Sequence, residues 1–367
     1  MVTGRDGAPW PSGGDRSRYD GPTALLALCC ALLLALTLTA SSGPGSGQGP
    51  AKGADDGMDL LRRAAEASRK VSYEGVQAIS STGPAGTEHR VVEVEHSAES
   101  GTRLHEPGGA DEVRIRPADS SEWPDPGARV LDTLEENYRV VRAGAGEASG
   151  RPAELVEAVR ADGGAAGRFW IDAETGLPLR RMTLDPLGRV VHFSEFTEFQ
   201  VVDGAAGAAE AADPGRAPDP WGDRLDEGEL RELRAGGWTA PDRLSWNYRL
   251  MDARTKRKPS GPVVHLSYSD GLSVISVFVE RGRLGSGSHG TGQGMRAVEG
   301  GGGTVYMGGA GQQRRMWEAE EYVYTMLADA PPDAVAAAAA SLPGPDEAGF
   351  WDRVDRGFAR FGDWLGM

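Results

Sequence analysis

The stretch RFWIDAETGLPLRRMTLDPLGRVVHFSEFTEFQV spans residues 168–201 and contains the clearest fold signal in the chain. Apolar and polar residues alternate along it, which is the period-two pattern of half-buried β-strands. The alternation breaks at 172–176 and 185–188, where Asp and Pro can begin a turn and Gly accepts a positive φ. The stretch therefore predicts three antiparallel strands joined by two hairpin turns.

Further strand signals lie upstream, near residues 89–96, 112–116, 137–144 and 154–161. One short amphipathic helix comes before them, capped by Asp59 and carrying Leu60 and Leu61. A long antiparallel sheet with a single covering helix has to curl to bury its apolar face. We therefore expect residues 58–203 to form a curved antiparallel sheet, a half-barrel.

Downstream, residues 204–222 are rich in Gly, Ala and Pro without periodicity, which indicates a linker. Residues 223–342 begin with a helix signal in which Asp226 and Glu229 fit a capping box. Several strand signals follow, and an Ala-rich helix that starts at the prolines 331–332 closes this part. The expected fold class is α+β, with the curved N-terminal sheet followed by a smaller α+β C-terminal domain.

The N-terminal region contains an apolar run at residues 24–40, ALLALCCALLLALTLTA. Residues 1–23 before it contain arginines, whereas no basic residue follows it until Lys52, and this asymmetry places the later residues outside the cytoplasm. The run is short for a membrane-spanning helix and long for the core of a signal peptide. Two predictions stay open: an extracytoplasmic protein anchored in the membrane by 24–40, or one secreted after signal cleavage. A flexible Gly/Ser/Pro tether at residues 41–57 is expected in either case.

The composition and the motifs argue against catalysis. The chain has 39 basic and 54 acidic residues, and a net charge of −15 disfavours a nucleic-acid partner. Its two cysteines, Cys29 and Cys30, lie within the apolar run, so no cysteine zinc site is expected in the folded part. The histidines lack metal-ligand spacing, and no nucleophile elbow or phosphate loop occurs. We therefore predict a non-enzymatic protein without a cofactor or a metal.

A basic segment stands out from the balanced charge of the C-terminal part. It consists of Arg254, Lys256, Arg257 and Lys258, between two predicted strands. These residues fit either a solvated hairpin tip or a protein-binding surface for an acidic partner, because clustered basic groups speed association with anions. Both interpretations stay open at the level of sequence.

The last segment, residues 343–367, predicts an amphipathic tail. Its apolar residues fall at helical spacing and are Phe350, Val354, Phe358, Phe361 and Leu365. A stripe of this kind has to be covered. Packing on the protein itself, docking on a membrane surface and binding in a partner's groove would each cover it.

Three segments of the chain carry a recognisable set of motifs. They are LLRRAAEASRKVSYEGVQ at 60–77, the stretch at 168–201, and PVVHLSYSDGLSVISVFVE at 262–280. The motifs within them are Tyr73-Glu74-Gly75, the hairpin from Trp170 to Leu179, and Tyr268-Ser269-Asp270-Gly271-Leu272. In order and spacing they resemble the RseB/MucB family of exported regulatory proteins for sigma factors. The resemblance covers about residues 57–342.

The resemblance implies a fold, a partner and a ligand. The N-terminal part would share the curved sheet of lipoprotein carriers such as LolA and LppX, with an apolar concavity for lipid or acyl chains. The smaller C-terminal domain would bind the extracytoplasmic domain of an anti-sigma factor. The residues expected to face the lipid are Val71, Tyr73, Val92, Val94, Phe169, Ile171, Val191 and Phe193.

The predicted function is therefore regulation of sigma-factor signalling outside the cytoplasm, in an envelope stress response. The protein would bind the outer domain of an anti-sigma factor and sense lipid or lipoprotein. The alternative is a lipid or lipoprotein carrier of the cell envelope that uses the same concavity. Such carriers commonly consist of the first domain alone, so the second domain favours regulation.

Overall fold

The computed structural model describes the chain from residue 54 to residue 345, with gaps. The described residues are 54–98, 101–105, 114–115, 127–202, 222, 224–259, 261–284, 295–300, 303–309 and 312–345. They belong to one compact unit, Ala51–Met367. The predicted segments at 1–23 and 24–40, most of the tether and the linker, and the tail beyond Pro345 lie outside the described residues. Within the described part, no helix is long and apolar enough to cross a membrane.

The first half of the described chain forms a nine-stranded antiparallel sheet with two helices. The strands are β1 Tyr73–Gly83, β2 Gly86–Ser97, β3 Gly101–His105, β4 Arg114–Ile115, β5 Arg139–Ala148, β6 Arg151–Val159, β7 Ala165–Asp172, β8 Pro178–Leu184 and β9 Val190–Val201. The helices are α1 Ala54–Lys70 and α2 Ala128–Asn137. The strand order is β4-β3-β2-β1-β9-β8-β7-β6-β5, so the first and last strands of this half pair with each other. The three strands predicted within residues 168–201 are confirmed as β7, β8 and β9.

The second half forms a seven-stranded antiparallel sheet, also with two helices. The strands are β10 Arg249–Lys258, β11 Gly261–Ser269, β12 Val274–Arg281, β13 Arg296–Gly300, β14 Gly303–Gly308, β15 Gln313–Ala319 and β16 Tyr322–Ala328. The helices are α3 Glu227–Ala235 and α4 Pro332–Ala339. The strand order is β10-β11-β12-β16-β15-β14-β13. The predicted capping box of α3 is confirmed, because the Asp226 side chain accepts from the Glu229 backbone and the reverse bond is also present.

Helix α2 corrects the prediction of a single early helix. Its residues Val130, Leu131 and Leu134 are buried, at the spacing of one helical face. Leu131 and Leu134 join the core cluster that contains Leu61 of α1 and Phe169 of β7. The two helices therefore share the covering of this side of the nine-stranded sheet.

The architecture is α+β and dominated by antiparallel sheet, as predicted at the level of fold class. The seven-stranded sheet has a core of its own, in which Tyr268, Trp317 and Tyr324 are almost fully buried. Each large side chain of this kind contributes about 1.5–3 kcal/mol by leaving water. The half-barrel curvature and the domain boundaries stay predictions.

Gly75 shows why a Tyr-Glu-Gly motif begins the first strand. A Cβ added at Gly75 would lie 2.3 Å from the backbone oxygen of Glu198 in β9. The pairing of β1 with β9 shifts register between Val76 and Gln77, directly after this close approach. Only glycine lets the two backbones come this near without displacement.

The hairpin between β7 and β8 is organised by one buried carboxylate. Asp172 is 2% exposed and accepts from Arg151 Nε and Nη2, both at 3.0 Å. It also accepts from the backbone N–H of Thr175 at 3.0 Å and from its hydroxyl at 2.6 Å. Burial raises the pKa of Asp172, but the hydrogen bonds from Arg151 and Thr175 outweigh burial and hold the pKa below its usual range.

We expect Asp172→Asn to remove an acid-sensitive part of the stability. Because the folded pKa is lowered, the carboxylate stabilises the fold above its unfolded pKa of about 4. That contribution is lost as the pH falls through the folded pKa. In thermal unfolding between pH 7 and pH 2, the variant should unfold at a lower temperature at neutral pH and lose less on acidification. Glu174→Gln is the control, because Glu174 pairs with the same Arg151 but is 81% exposed. An Asp172→Asn variant with the acid profile of the parent would contradict this role.

Candidate functional site

The predicted protein-binding residues lie in a strand. Arg254, Lys256, Arg257 and Lys258 belong to β10, which pairs with β11 from Arg249 opposite Ser269 to Lys258 opposite Gly261. They therefore lie within β10 and not between two strands as predicted, and the tip of the hairpin is residues 259–260, directly after Lys258. Side chains alternate between the two faces of a strand, so Arg257 points away from the face shared by the other three.

Strand β10 is an edge of the seven-stranded sheet, and part of its outer side is covered. The backbone N–H of Leu225 donates to Ala253 at 2.8 Å, and that of Gly222 donates to Thr255 at 3.0 Å. Among the described residues, no backbone bond of this kind continues beyond Thr255. The described backbone bonds on the outer side of β10 thus end at Thr255, two residues before Arg257.

Ion pairs occupy much of the predicted basic segment. Arg254 lies 2.6 Å from Asp252, and Arg224 lies 2.9 Å from the other oxygen of the same carboxylate. Lys258 lies 3.9 Å from Glu280 and its side chain is 11% exposed. Arg257, in contrast, is exposed. The positive charge that faces solvent is therefore smaller than the sequence suggests.

The eight residues predicted to face lipid are divided among several environments. Tyr73, Val92 and Val94 are buried in one cluster, and Val71 packs against it. Phe169 and Ile171 are buried in the cluster beneath α1 and α2. Val191 and Phe193 are both 7% exposed, and Phe193 pairs with Met182 of β8. Because Phe169 instead pairs with Arg181, Phe193 lies on the opposite face of the sheet from Phe169. The structure does not bring the eight residues together on one face.

The sequence analysis did not predict the junction between the two sheets. The turn between β11 and β12, residues 269–273 (SDGLS), reaches from the seven-stranded sheet into the nine-stranded one, and we call it the junction turn. Its Leu272 is 3% exposed and lies in the cluster beneath α1 and α2. A Cβ added at Gly167 of β7 would lie 2.7 Å from Leu272 Cδ2, so glycine makes room for this side chain.

Polar side chains of the nine-stranded half donate to the junction turn and to its surroundings. The Tyr138 hydroxyl donates to Asp270 Oδ2 at 2.7 Å, and the Asn137 amide donates to the Asp270 carbonyl at 3.0 Å. Arg181 donates to the carbonyl of Leu272. Arg129 donates to the carbonyl oxygens of Met251 and Leu250 at 3.0 and 3.2 Å. Arg249 and Glu136 form a further ion pair across the junction at 2.5 Å.

Titratable groups at the junction keep the protonation that these bonds require. Burial raises the pKa of Tyr138, and the carboxylate of Asp270 raises it further, so the phenol remains a donor. Burial lowers the pKa of Arg181 to about 10 against the opposing effect of Asp329 and Asp270. The guanidinium therefore stays charged at neutral pH.

A cavity of about 20 Å³ lies beside the junction turn, lined by Tyr138, Arg160, Thr183, Tyr248 and Asp270 among others. The Thr183 hydroxyl is buried and has no hydrogen-bond partner in the part of the chain that the structure describes. A cavity of this size with polar walls holds about one water molecule. It is far smaller than an acyl chain needs.

Three of the described histidines form side-chain hydrogen bonds within the sheets. His192 bonds with Ser81 at 3.1 Å, His96 with Thr102 at 2.8 Å, and His265 with Ser276 at 3.1 Å. No group of three His, Cys, Asp or Glu side chains suited to a metal ion occurs among the described residues.

We expect Asp252→Asn to destabilise the protein by roughly 1–2 kcal/mol, because it removes the carboxylate charge that both Arg224 and Arg254 contact. Asp252 is 15% exposed, so solvent compensates little. Asp242→Asn is the matched control, since Asp242 pairs with Arg234 but is 79% exposed, and its loss should stay below about 0.5 kcal/mol. Urea unfolding measures the free energy of unfolding of both variants. Equal losses would show that the ion pairs of Asp252 stabilise the protein no more than the exposed pair of Asp242.

Comparison with known proteins gives a family match. The family model of the MucB/RseB N-terminal domain matches residues 106–219. The sigma factor AlgU regulatory protein MucB of Pseudomonas aeruginosa is 28% identical over an alignment of 251 residues, which covers 63% of this chain and 76% of that protein.

Solved structures give matches of lower identity. The Pseudomonas aeruginosa MucA/MucB complex matches with a TM-score of 0.47 and 21% identity, over 80% of this chain and 100% of that chain. A crystal structure of MucB matches with a TM-score of 0.46 and 22% identity, over 82% of this chain and 98% of that chain. The family model and the MucB sequence confirm that this chain is similar to the RseB/MucB family, and of the three motif segments the family model spans the one at 168–201.

Proposed function

We propose that this protein is an extracytoplasmic regulator of sigma-factor signalling that binds the outer domain of an anti-sigma factor. The observation that carries the proposal is the relation to MucB, a protein named as a regulator of a sigma factor, at 28% identity over 251 residues. The matched family domain at 106–219 supports the same role. The position outside the cytoplasm rests on the arginines before residues 24–40, with membrane anchoring and signal cleavage as the two routes.

The second sheet favours regulation over lipid transport. It adds seven strands with a core of their own to the nine-stranded sheet. The resemblance to carriers such as LolA concerns the first sheet alone. A carrier needs no second sheet, whereas a protein that binds a partner gains an additional surface from it.

The end of β10 near Arg257 is the place where we expect the partner to bind. An extended segment can add a strand to a sheet edge, where backbone bonds supply affinity and side chains supply specificity. Leu225 and Gly222 cover the edge only as far as Thr255 among the described residues. Arg257 is exposed just beyond that point. This combination suits an extended segment that carries acidic side chains.

Arg257→Glu should slow association with the purified extracytoplasmic domain of the organism's own anti-sigma factor. Reversal of an exposed charge acts mainly on the association rate, so we expect a severalfold decrease and a weaker salt dependence. Stopped-flow mixing at two or more salt concentrations measures both effects. Arg63→Glu is the control, because Arg63 is exposed on α1, outside the seven-stranded sheet.

The outcomes separate two parts of the proposal. Equal rates for the two variants would show that the partner does not bind near Arg257. A parent protein that does not bind the anti-sigma domain at all would contradict the function itself.

A lipid or acyl-chain ligand is proposed as a second binding partner, on the basis of the family resemblance. Val191 and Phe193, with Met182, form an apolar set on the sheet face opposite Phe169 and Ile171. These three side chains are 2–7% exposed, so a ligand would have to replace the contacts that cover them, with a gain of about 25 cal/mol per Å² of its own apolar area buried.

Native mass spectrometry tests the lipid ligand. The full chain, stripped of lipid and then exposed to vesicles of envelope phospholipid, should retain an acyl-bearing species at a fixed stoichiometry. Bovine serum albumin in the same buffer serves as the positive control for the readout. Recovery of the lipid-free chain alone would remove lipid sensing from the proposal and leave anti-sigma binding unaffected.

A further inference from the structure

The two sheets share very little apolar core. In the cluster of the seven-stranded half, every buried residue lies between Ala240 and Leu342. The cluster around Tyr73 draws only on the nine-stranded half. The cluster beneath α1 and α2 contains one residue from the other half, which is Leu272. In these clusters, Leu272 of the junction turn is therefore the single buried apolar residue that joins the two halves.

The junction turn is braced so that it presents Leu272 in a fixed position. Asp270 Oδ1 accepts from the backbone N–H groups of Leu272 and Ser273 at 2.9 and 2.7 Å. Ser269 Oγ donates to the Ser273 carbonyl at 2.9 Å and accepts from the Gly271 N–H at 3.0 Å. These bonds lie within the turn itself, so the turn keeps its shape whether or not the other sheet is in contact with it.

The junction turn packs closely against the nine-stranded half. Gly271 has a φ of +96°, and a Cβ there would lie 2.4 Å from the Cα of Leu134 in α2. Tyr138 follows directly after α2 and donates to Asp270 from the same side. The junction turn therefore packs against the C-terminal part of α2 and against β7, where Leu272 lies in one cluster with Leu134 and next to Gly167.

The remaining contacts across the junction are polar and partly wet. The pair of Arg249 and Glu136 is 34% and 48% exposed, so water can replace it at little cost. Arg129 and Asn137 donate to backbone carbonyl oxygens, which water can also satisfy. Interfaces of this polar kind between domains commonly allow relative motion. Leu272, the bond between Tyr138 and Asp270, and the bond from the buried Arg181 guanidinium to the Leu272 carbonyl are the contacts that water cannot replace equally well.

We propose that the junction turn is a latch, and that the two sheets separate as intact bodies when Leu272 leaves the core of the nine-stranded sheet. Each sheet keeps its own core on separation, because Leu272 is the shared member. The turn also survives, because its bracing bonds are internal. The latch does not depend on the proposed regulatory function, since it concerns the chain by itself.

A distance measurement between the sheets tests the latch. Spin labels are placed on the full chain through Leu187→Cys, in the turn between β8 and β9, and Glu321→Cys, in the turn between β15 and β16; both positions are exposed. Cys29→Ser and Cys30→Ser remove the native thiols. Pulsed electron resonance then reports the distribution of distances between the labels.

The parent should give one narrow distance. Leu272→Ala should add a population at longer distance, increased at least about tenfold over the parent, because it removes most of the shared apolar contact. Leu272→Met keeps the volume and should restore the narrow distance. Leu266→Ala is the matched control: Leu266 is fully buried in the seven-stranded half, so its loss should lower stability while the distance stays single.

Two results would overturn the latch. One is a Leu272→Ala distribution identical to that of the parent, and the other is an equal broadening in Leu266→Ala. If Leu272→Ala fails to fold, Tyr138→Phe decides the matter, since it removes only the bond to Asp270. That variant should raise the separated population by roughly tenfold, and an unchanged distribution overturns the proposal.

Discussion

Leu272 of the seven-stranded half packs in the core of the nine-stranded half, and the arrangement of the two sheets depends on this contact. Leu272 follows β11 in sequence but packs with the helices of the nine-stranded sheet. This is feasible only because Asp270 satisfies the backbone of the turn and is itself satisfied by Tyr138. A buried carboxylate without such bonds would cost several kcal/mol. The polar network of the junction therefore serves to hold one leucine in place.

The motifs that carry the family resemblance have structural explanations in this chain. Gly75 lies where two strands approach too closely for a side chain. Asp172 holds the hairpin between β7 and β8 through bonds from Arg151 and Thr175. Asp270 braces the junction turn. The motif residues Gly75, Asp172 and Asp270 thus have structural roles in this chain.

Many charged side chains in the described part of this protein form ion pairs with one another within the fold. Glu195 and Arg180 form a nearly buried pair at 2.5 Å, and the Arg180 guanidinium lies 5.1 Å from the Trp170 ring. Asp252 lies between two arginines, one of which belongs to the predicted docking segment. For a binding protein this matters, because a charge already paired inside the fold contributes little to steering a partner. Arg257 keeps that capacity because it is exposed.

Local pattern was enough to predict the elements within 168–201 and the capping box at Asp226, since alternation, turn residues and caps involve near neighbours in sequence. It also indicated the family, because the motifs lie in continuous segments. It missed α2, whose short apolar face became informative only when packed beside α1. It placed Arg254 to Lys258 at a turn, because the end of a strand depends on its partner's hydrogen bonds. The role of Leu272 depended on Gly167 and Leu134, more than 100 residues away. Contacts at that separation leave no periodicity in the sequence, so tertiary packing alone established the junction.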